Sequence, residues 1–169
     1  MIRKLVFVFL FPLYLISSPV QEEIKLSNLI SQKYGFSLNP QRGDNLRLFH
    51  LVLKWEGTPF QLQGRSLQGI GSVELVSEFV EQLYYQNLVG TPSSMFKKVD
   101  LRKMGEVPAQ GDLVFFKDSK GNVFHVGILL KSQLFIHSHV KYGVVVESLE
   151  DPIYKNSFLA FGKLPEPRK

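Results

Sequence analysis

Two histidines are the residues best suited to chemistry: His125, in Phe-His-Val-Gly-Ile-Leu, and His137, in Leu-Phe-Ile-His-Ser-His. Imidazole is the side chain whose ordinary pKa lets it take and return a proton near neutral pH. A second polar group beside it can hold the ring in the useful tautomer. The pair has the makings of a base and its orienter for a nucleophile brought from elsewhere in the chain. A thiol is not available as that nucleophile, because none of the 169 residues is cysteine. No thiol acyl-enzyme can form. His139 shares a strand face with His137 if the strand continues. No His-Glu-x-x-His or comparable acidic set accompanies that pair, so neither a metal nor a cofactor is expected. His50 lies outside any motif and is assigned no role.

The elements that must carry these residues change character halfway along the chain. Residues 21–54 look mostly helical, with Asp44 placed to cap a second helix before Leu46. Residues 60–72 read as a Gly-, Gln- and Ser-rich loop. A strongly periodic helix follows from about 72 to 85, with Val73, Val76, Phe79, Val80, Leu83 and Tyr84 on one stripe. Residues 88–110, punctuated by Pro92 and Pro108, read as a long connection. The period then becomes that of strands at 112–116, 123–130, 134–138, 144–149 and 158–161. Helices first and an antiparallel meander second make an α+β layout. The reading is of one domain over 21–163 with its core at about 55–163, and a loose tail at 164–169.

Four segments resemble the NlpC/P60 family of papain-like cell-wall peptidases, in that family's order and spacing. Trp55-Glu-Gly-Thr-Pro-Phe60 is similar to its Trp-x-Gly-x-Pro-Tyr opening. Gly111-Asp-Leu-Val-Phe-Phe116 matches its strand motif. His125-Val-Gly-Ile-Leu129 looks like the segment bearing its catalytic histidine. His137 resembles the second histidine, which orients the first. The resemblance implies a papain-like fold, N-terminal helices packed on an antiparallel sheet, with a nucleophile at the start of the core helix facing the histidines. It also implies that Phe60, Ser77, His125 and His137 contribute to binding a cell-wall peptide.

The family carries Asp-Cys-Ser-Gly-Phe-Val at that helix start, and two registers fit here. In the preferred one, Leu75-Val-Ser-Glu-Phe-Val80 takes its place. Val76 then stands for the cysteine, and Leu83, Tyr84 and Pro92 follow at family-like distances. In the other, Gly71-Ser-Val-Glu-Leu-Val76 takes its place, with Ser72 for the cysteine and a better distance from Gly64. The registers differ by one helical turn, so apolar periodicity does not choose between them. Both lose the family aspartate, which by resemblance helps bind the amino end of a cell-wall peptide. Both also gain a glutamate, Glu78 or Glu74. Valine has no nucleophilic atom, and a serine alcohol is a far weaker nucleophile than a thiolate. An added carboxylate opposes oxyanion stabilisation, although it favours a helix N-terminus.

Composition narrows the rest. With 44% hydrophobic residues, the chain can build a real core. Without the two charges at Arg3 and Lys4 it has 18 basic and 15 acidic side chains, and no basic stripe suggests a nucleic-acid partner. Arg3-Lys4, the apolar run 5–16 and the small residues Ser17 and Ser18 have the layout of a signal peptide over 1–20. The run is short for a membrane span, and an uncleaved anchor is the alternative. Three functions are compatible with these features. One is a catalytically degenerate exported domain that binds peptidoglycan stem peptides or an envelope protein. Another is a residual hydrolase using Ser72 and His125, and the third is a structural envelope protein. The targeting reading predicts that the protein leaves the cytoplasm of its own host and loses 17 to 20 residues. Intact-mass measurement checks this; a full-length mass in the membrane pellet would favour the anchor.

Overall fold

The computed structural model describes residues 18–164, so the expected targeting segment lies almost wholly outside the described residues. The described chain falls into two compact units divided between Ser37 and Leu38. The first holds helix α1, Pro19–Tyr34, which opens on a capping box formed by Ser18 and Gln21. It closes at Gly35 in the left-handed conformation, whose N–H returns to the Ser31 carbonyl.

The second unit begins with a 3-10 turn, Pro40–Arg42, and helix α2, Leu46–Trp55. Asn45, not Asp44, caps α2, its side chain accepting from Leu48 N. Asp44 is spent elsewhere, accepting from Asn39 N, Gln110 Nε2 and Lys131 Nζ, each at 2.7 Å. The expected loop that follows carries a minimal ribbon, β1 (Arg65–Ser66) and β2 (Gly69–Ile70). Helix α3 then runs over Ser72–Tyr84, nearly as the periodicity predicts, and buries Leu75, Val76, Phe79, Val80 and Leu83.

The predicted connection 88–110 is more structured than its prolines suggest. Thr91 forms a capping box with Ser94, and Pro92 opens helix α4, Pro92–Lys98. Strand β3, Asp100–Leu101, follows. The meander is β4 (Leu113–Lys117), β5 (Val123–Lys131), β6 (Leu134–His139) and β7 (Gly143–Ser148). Asp151 then caps a short helix, α5 (Pro152–Ser157), which leads into β8 (Phe158–Lys163). The six-stranded sheet has the order β3-β8-β4-β5-β6-β7, and every neighbouring pair is antiparallel. The fold is therefore α+β, with α3 lying against β5 and β6.

One layer of the core joins α5 to the sheet: Val114, Phe116, Leu129, Phe135, Leu149 and Tyr154, with Phe158 and Phe161 against them. On α3, Phe79 is 1% exposed. Phe79→Ala is expected to cost about 3–5 kcal/mol. Chemical denaturation of the purified protein measures it, and an unmoved midpoint would contradict the packing.

Candidate functional site

The sheet brings His125 and His137 together. Phe135 and Glu147 are direct partners across β6 and β7, and His137 pairs with Val145, so Phe135, His137 and Glu147 share one face. On β5, the register shifts beside His125. Phe116 pairs with His125 while Lys117 pairs with Val123, so Phe124 is squeezed out to solvent. Gly127 supplies room for the approach. A Cβ there would lie 2.8 Å from the Phe135 ring and 3.2 Å from His137 Cβ. The result is a contact of 2.8 Å between His125 Nε2 and His137 Nδ1.

The chain of polar contacts continues beyond the two histidines. His137 Nε2 lies 2.6 Å from Glu147 Oε2 and 3.3 Å from the Tyr154 hydroxyl, and that hydroxyl donates to the same Glu147 oxygen. His137 is 1% exposed and stacks on Phe135 at 4.8 Å between ring centres. Sequence reasoning missed Glu147 and Tyr154. The available signals were a lone carboxylate in Val-Val-Val-Glu and an Asp-Pro helix start three residues before the tyrosine. His139 lies beyond the chain, its ring 6.0 Å from that of His137, with Nδ1 accepting from the N–H groups of Lys141 and Tyr142.

Burial sets the electrostatics. It drives His125 down to about 3, helped by the neighbouring His137 and His139. It also lowers His137, although Glu147 pulls the other way. Burial alone would raise Glu147, but the Tyr154 hydroxyl and His137 outweigh it and leave the carboxyl below its ordinary value. Burial and the facing carboxylate push the Tyr154 phenol up. A cavity of about 210 Å³ opens beside the histidines, walled by Phe116, Phe124, Val140, Ile153, Tyr154 and Ser157.

The two nucleophile registers land in different surroundings. Ser72 is the first residue of α3, directly after the N-cap Gly71, and is half-buried. Val76 lies one turn further on and is fully buried. The start of α3 is tied to the histidine strand, because Ser138, next to His137, donates from Oγ to the Ile70 carbonyl at 2.8 Å. The Glu74 carboxylate folds back over Gly71 and fills the space that a Cβ on that residue would take. Phe60 is half-buried and bridges to Ile70. Ser77, to which the resemblance gave a part in peptide binding, is turned into the core. It is 3% exposed, and its hydroxyl is taken up by the carbonyls of Val73 and Leu88 at 2.9 and 2.6 Å.

Other motif residues hold the frame. Gly111 has φ +87°, and the Tyr84 hydroxyl occupies the space of the missing Cβ. Asp112 is buried and accepts from Arg102 Nε, from Arg102 Nη2 at 2.9 Å and from Ala109 N at 2.8 Å. The Gly57-Thr-Pro opening clips onto β7: Gly57 N donates to Val144 O, and Val144 N donates to Thr58 O, both at 2.8 Å.

Comparison with known proteins agrees with this frame. The family model described as the NlpC/P60 family matches residues 57–163. A Haemophilus influenzae protein named "Probable endopeptidase" is 29% identical over 140 residues, covering 78% of this chain and 84% of its own length. The Escherichia coli "Murein DD-endopeptidase MepS/Murein LD-carboxypeptidase" is 27% identical over 119 residues, covering 66% of this chain and 58% of that protein. Among solved structures, RipD of Mycobacterium tuberculosis, described as a non-catalytic NlpC/p60 domain protein adapted to peptidoglycan binding, superposes with a TM-score of 0.54. That match is 16% identical and covers 68% of this chain and 92% of RipD, a likeness of fold.

The histidine burial has a measurable consequence in acid. His125 has a folded value of about 3, against 6.5 as its ordinary value, so between those limits the unfolded chain binds a proton the folded chain refuses. Stability is therefore greatest above pH ~6.5 and falls as the pH drops through that window. His137 is lowered too and acts in the same sense, and Glu147 adds to it below its ordinary carboxylate range. Denaturation midpoints are expected to fall between pH 7 and pH 4, roughly. His125→Gln, which can still donate to His137 Nδ1, should make that fall shallower; an equal slope in both proteins would contradict the assignment.

Proposed function

Because this chain belongs to the NlpC/P60 family, we propose that it is a cell-envelope domain that binds peptidoglycan stem peptides without cleaving them by thiol chemistry. The observation that carries the reading is the absence of any cysteine from a chain that nevertheless keeps the two histidines in contact at 2.8 Å. Ser72 takes the nucleophile position in this reading, since it stands at the helix start while Val76 is sealed in the core. An alcohol there lacks the acidity that makes a cysteine nucleophilic near neutral pH.

Glu74 supports peptide binding over hydrolysis. The family aspartate would stand at position 71, where this chain has glycine, and the Glu74 carboxylate fills the space beside it. A negative charge is thereby kept close to where the resemblance puts recognition of a peptide amino end. The same charge, near Ser72, would oppose a developing oxyanion. The names of the murein-directed relatives and of the peptidoglycan-binding neighbour support an envelope location and this ligand class.

The test is incubation of the full chain with defined muropeptides, read both by binding and by mass spectrometry of the products. Binding without cleavage is the expected result, weakened at least several-fold in Glu74→Gln. Cleavage that vanished in both Ser72→Ala and His125→Ala would overturn the reading in favour of a serine hydrolase. No binding would favour a structural role. Ser72→Cys and Val76→Cys test the register, and only the Ser72→Cys protein should react with a thiol-directed substrate analogue.

A further inference from the structure

We propose that Glu147 is a positioning residue which, with the Tyr154 hydroxyl, fixes the proton positions on both histidines and leaves Nδ1 of His125 as the one bare nitrogen of the pair that is not engaged in their contact. Tyr154 has a single hydroxyl proton and donates it to Glu147 Oε2. The phenol oxygen then has only lone pairs to offer His137 Nε2, which stands 3.3 Å away. The same nitrogen faces Glu147 Oε2 at 2.6 Å, and an ionised carboxylate only accepts. A bare Nε2 would set its lone pair against two acceptors, so the proton of His137 belongs on Nε2.

That assignment leaves Nδ1 of His137 as an acceptor. The atom 2.8 Å from it, Nε2 of His125, must then carry the proton of the contact. A neutral imidazole holds one N–H, so Nδ1 of His125 is bare. The direction of the whole chain is thus set at its far end, by a carboxylate on β7 and a hydroxyl on α5, neither of which is hydrogen-bonded to His125. Packing holds the arrangement in place. Tyr154 lies edge-on to Phe135 at 4.9 Å between ring centres, and Phe135 stacks on His137.

Long-range proton–nitrogen correlation spectra of the full chain, labelled with nitrogen-15 in histidine, read the tautomers directly. Both His125 and His137 are expected as single Nε2–H tautomers, with a pyridine-like Nδ1 signal for each. An Nδ1–H tautomer at either residue in the native protein would overturn the proposal with no variant needed. Glu147→Gln keeps the size of the side chain but allows it to donate as well as accept. It should convert His125 and His137 to mixed or reversed tautomers, while a well-dispersed spectrum reports that the fold persists. Unchanged single tautomers in that variant would also overturn the proposal, whereas Glu147→Asp should restore the native pattern at least in part. The spectra need no ligand, so they report on the histidines whether or not muropeptides bind.

Discussion

The constraint on which this structure turns is the burial of an imidazole in an aromatic layer. His137 is 1% exposed and stacked on Phe135. Each of its nitrogens needs a partner, since a buried polar group left unpaired costs about 1–3 kcal/mol. One partner is His125 on β5, admitted by the missing side chain at Gly127. The other is Glu147, brought alongside by the β6–β7 register and joined there by Tyr154 from α5. Sheet order, bulge, glycine and short helix can all be read as means of satisfying that one ring.

Much of this was legible in the sequence. Short apolar runs between turn residues located β4 to β8 to within a residue or two, and a 3.6-residue stripe located α3, because burying one face of a helix leaves a period in the residue types. The two histidines were legible because each stands in a distinctive strand motif. Two short helices were not, because α4 and α5 are each too brief to show a period. Their signal lay in their first two residues. Ser18-Pro19, Asn39-Pro40, Thr91-Pro92 and Asp151-Pro152 each pair a capping side chain with a proline at the start of a helical segment. A proline read as a break in the chain was there a beginning, its fixed φ suited to the first helical turn. Glu147 escaped for another reason. Its role depends on a residue across the strand and another on a helix not foreseen, and that is tertiary information.

The family motifs divide into two physical kinds. Gly111 and Asp112 belong to the frame. The glycine makes way for Tyr84, and the aspartate is fully engaged with Arg102 and the Ala109 N–H. Gly57 and Thr58 likewise act through backbone bonds to β7. A match to those residues is evidence for the fold and carries no information about chemistry. His125 is of the other kind. It is half-buried beside a cavity and is held by a contact that leaves part of its ring unengaged.

These differences explain how a chain can hold the histidine chain intact and yet have no thiol. Removing His137, Glu147 or Tyr154 would strand a buried partner, so each is held in place by stability as much as by any reaction. Ser72 carries no such burden. It is half-buried at the first position of α3, and the cap before it is a glycine that makes no side-chain hydrogen bond. In the reading that gives Ser72 the nucleophile position, exchanging sulfur for oxygen there changes the reactivity of one atom at a place where no buried partner depends on it. The Glu74 carboxylate over Gly71 is favourable too, because a negative charge at the start of α3 complements the helix dipole. The helix start is therefore the part of the site where chemistry and stability are least coupled. The histidine chain is where they are most coupled, and its geometry is not by itself evidence of catalysis.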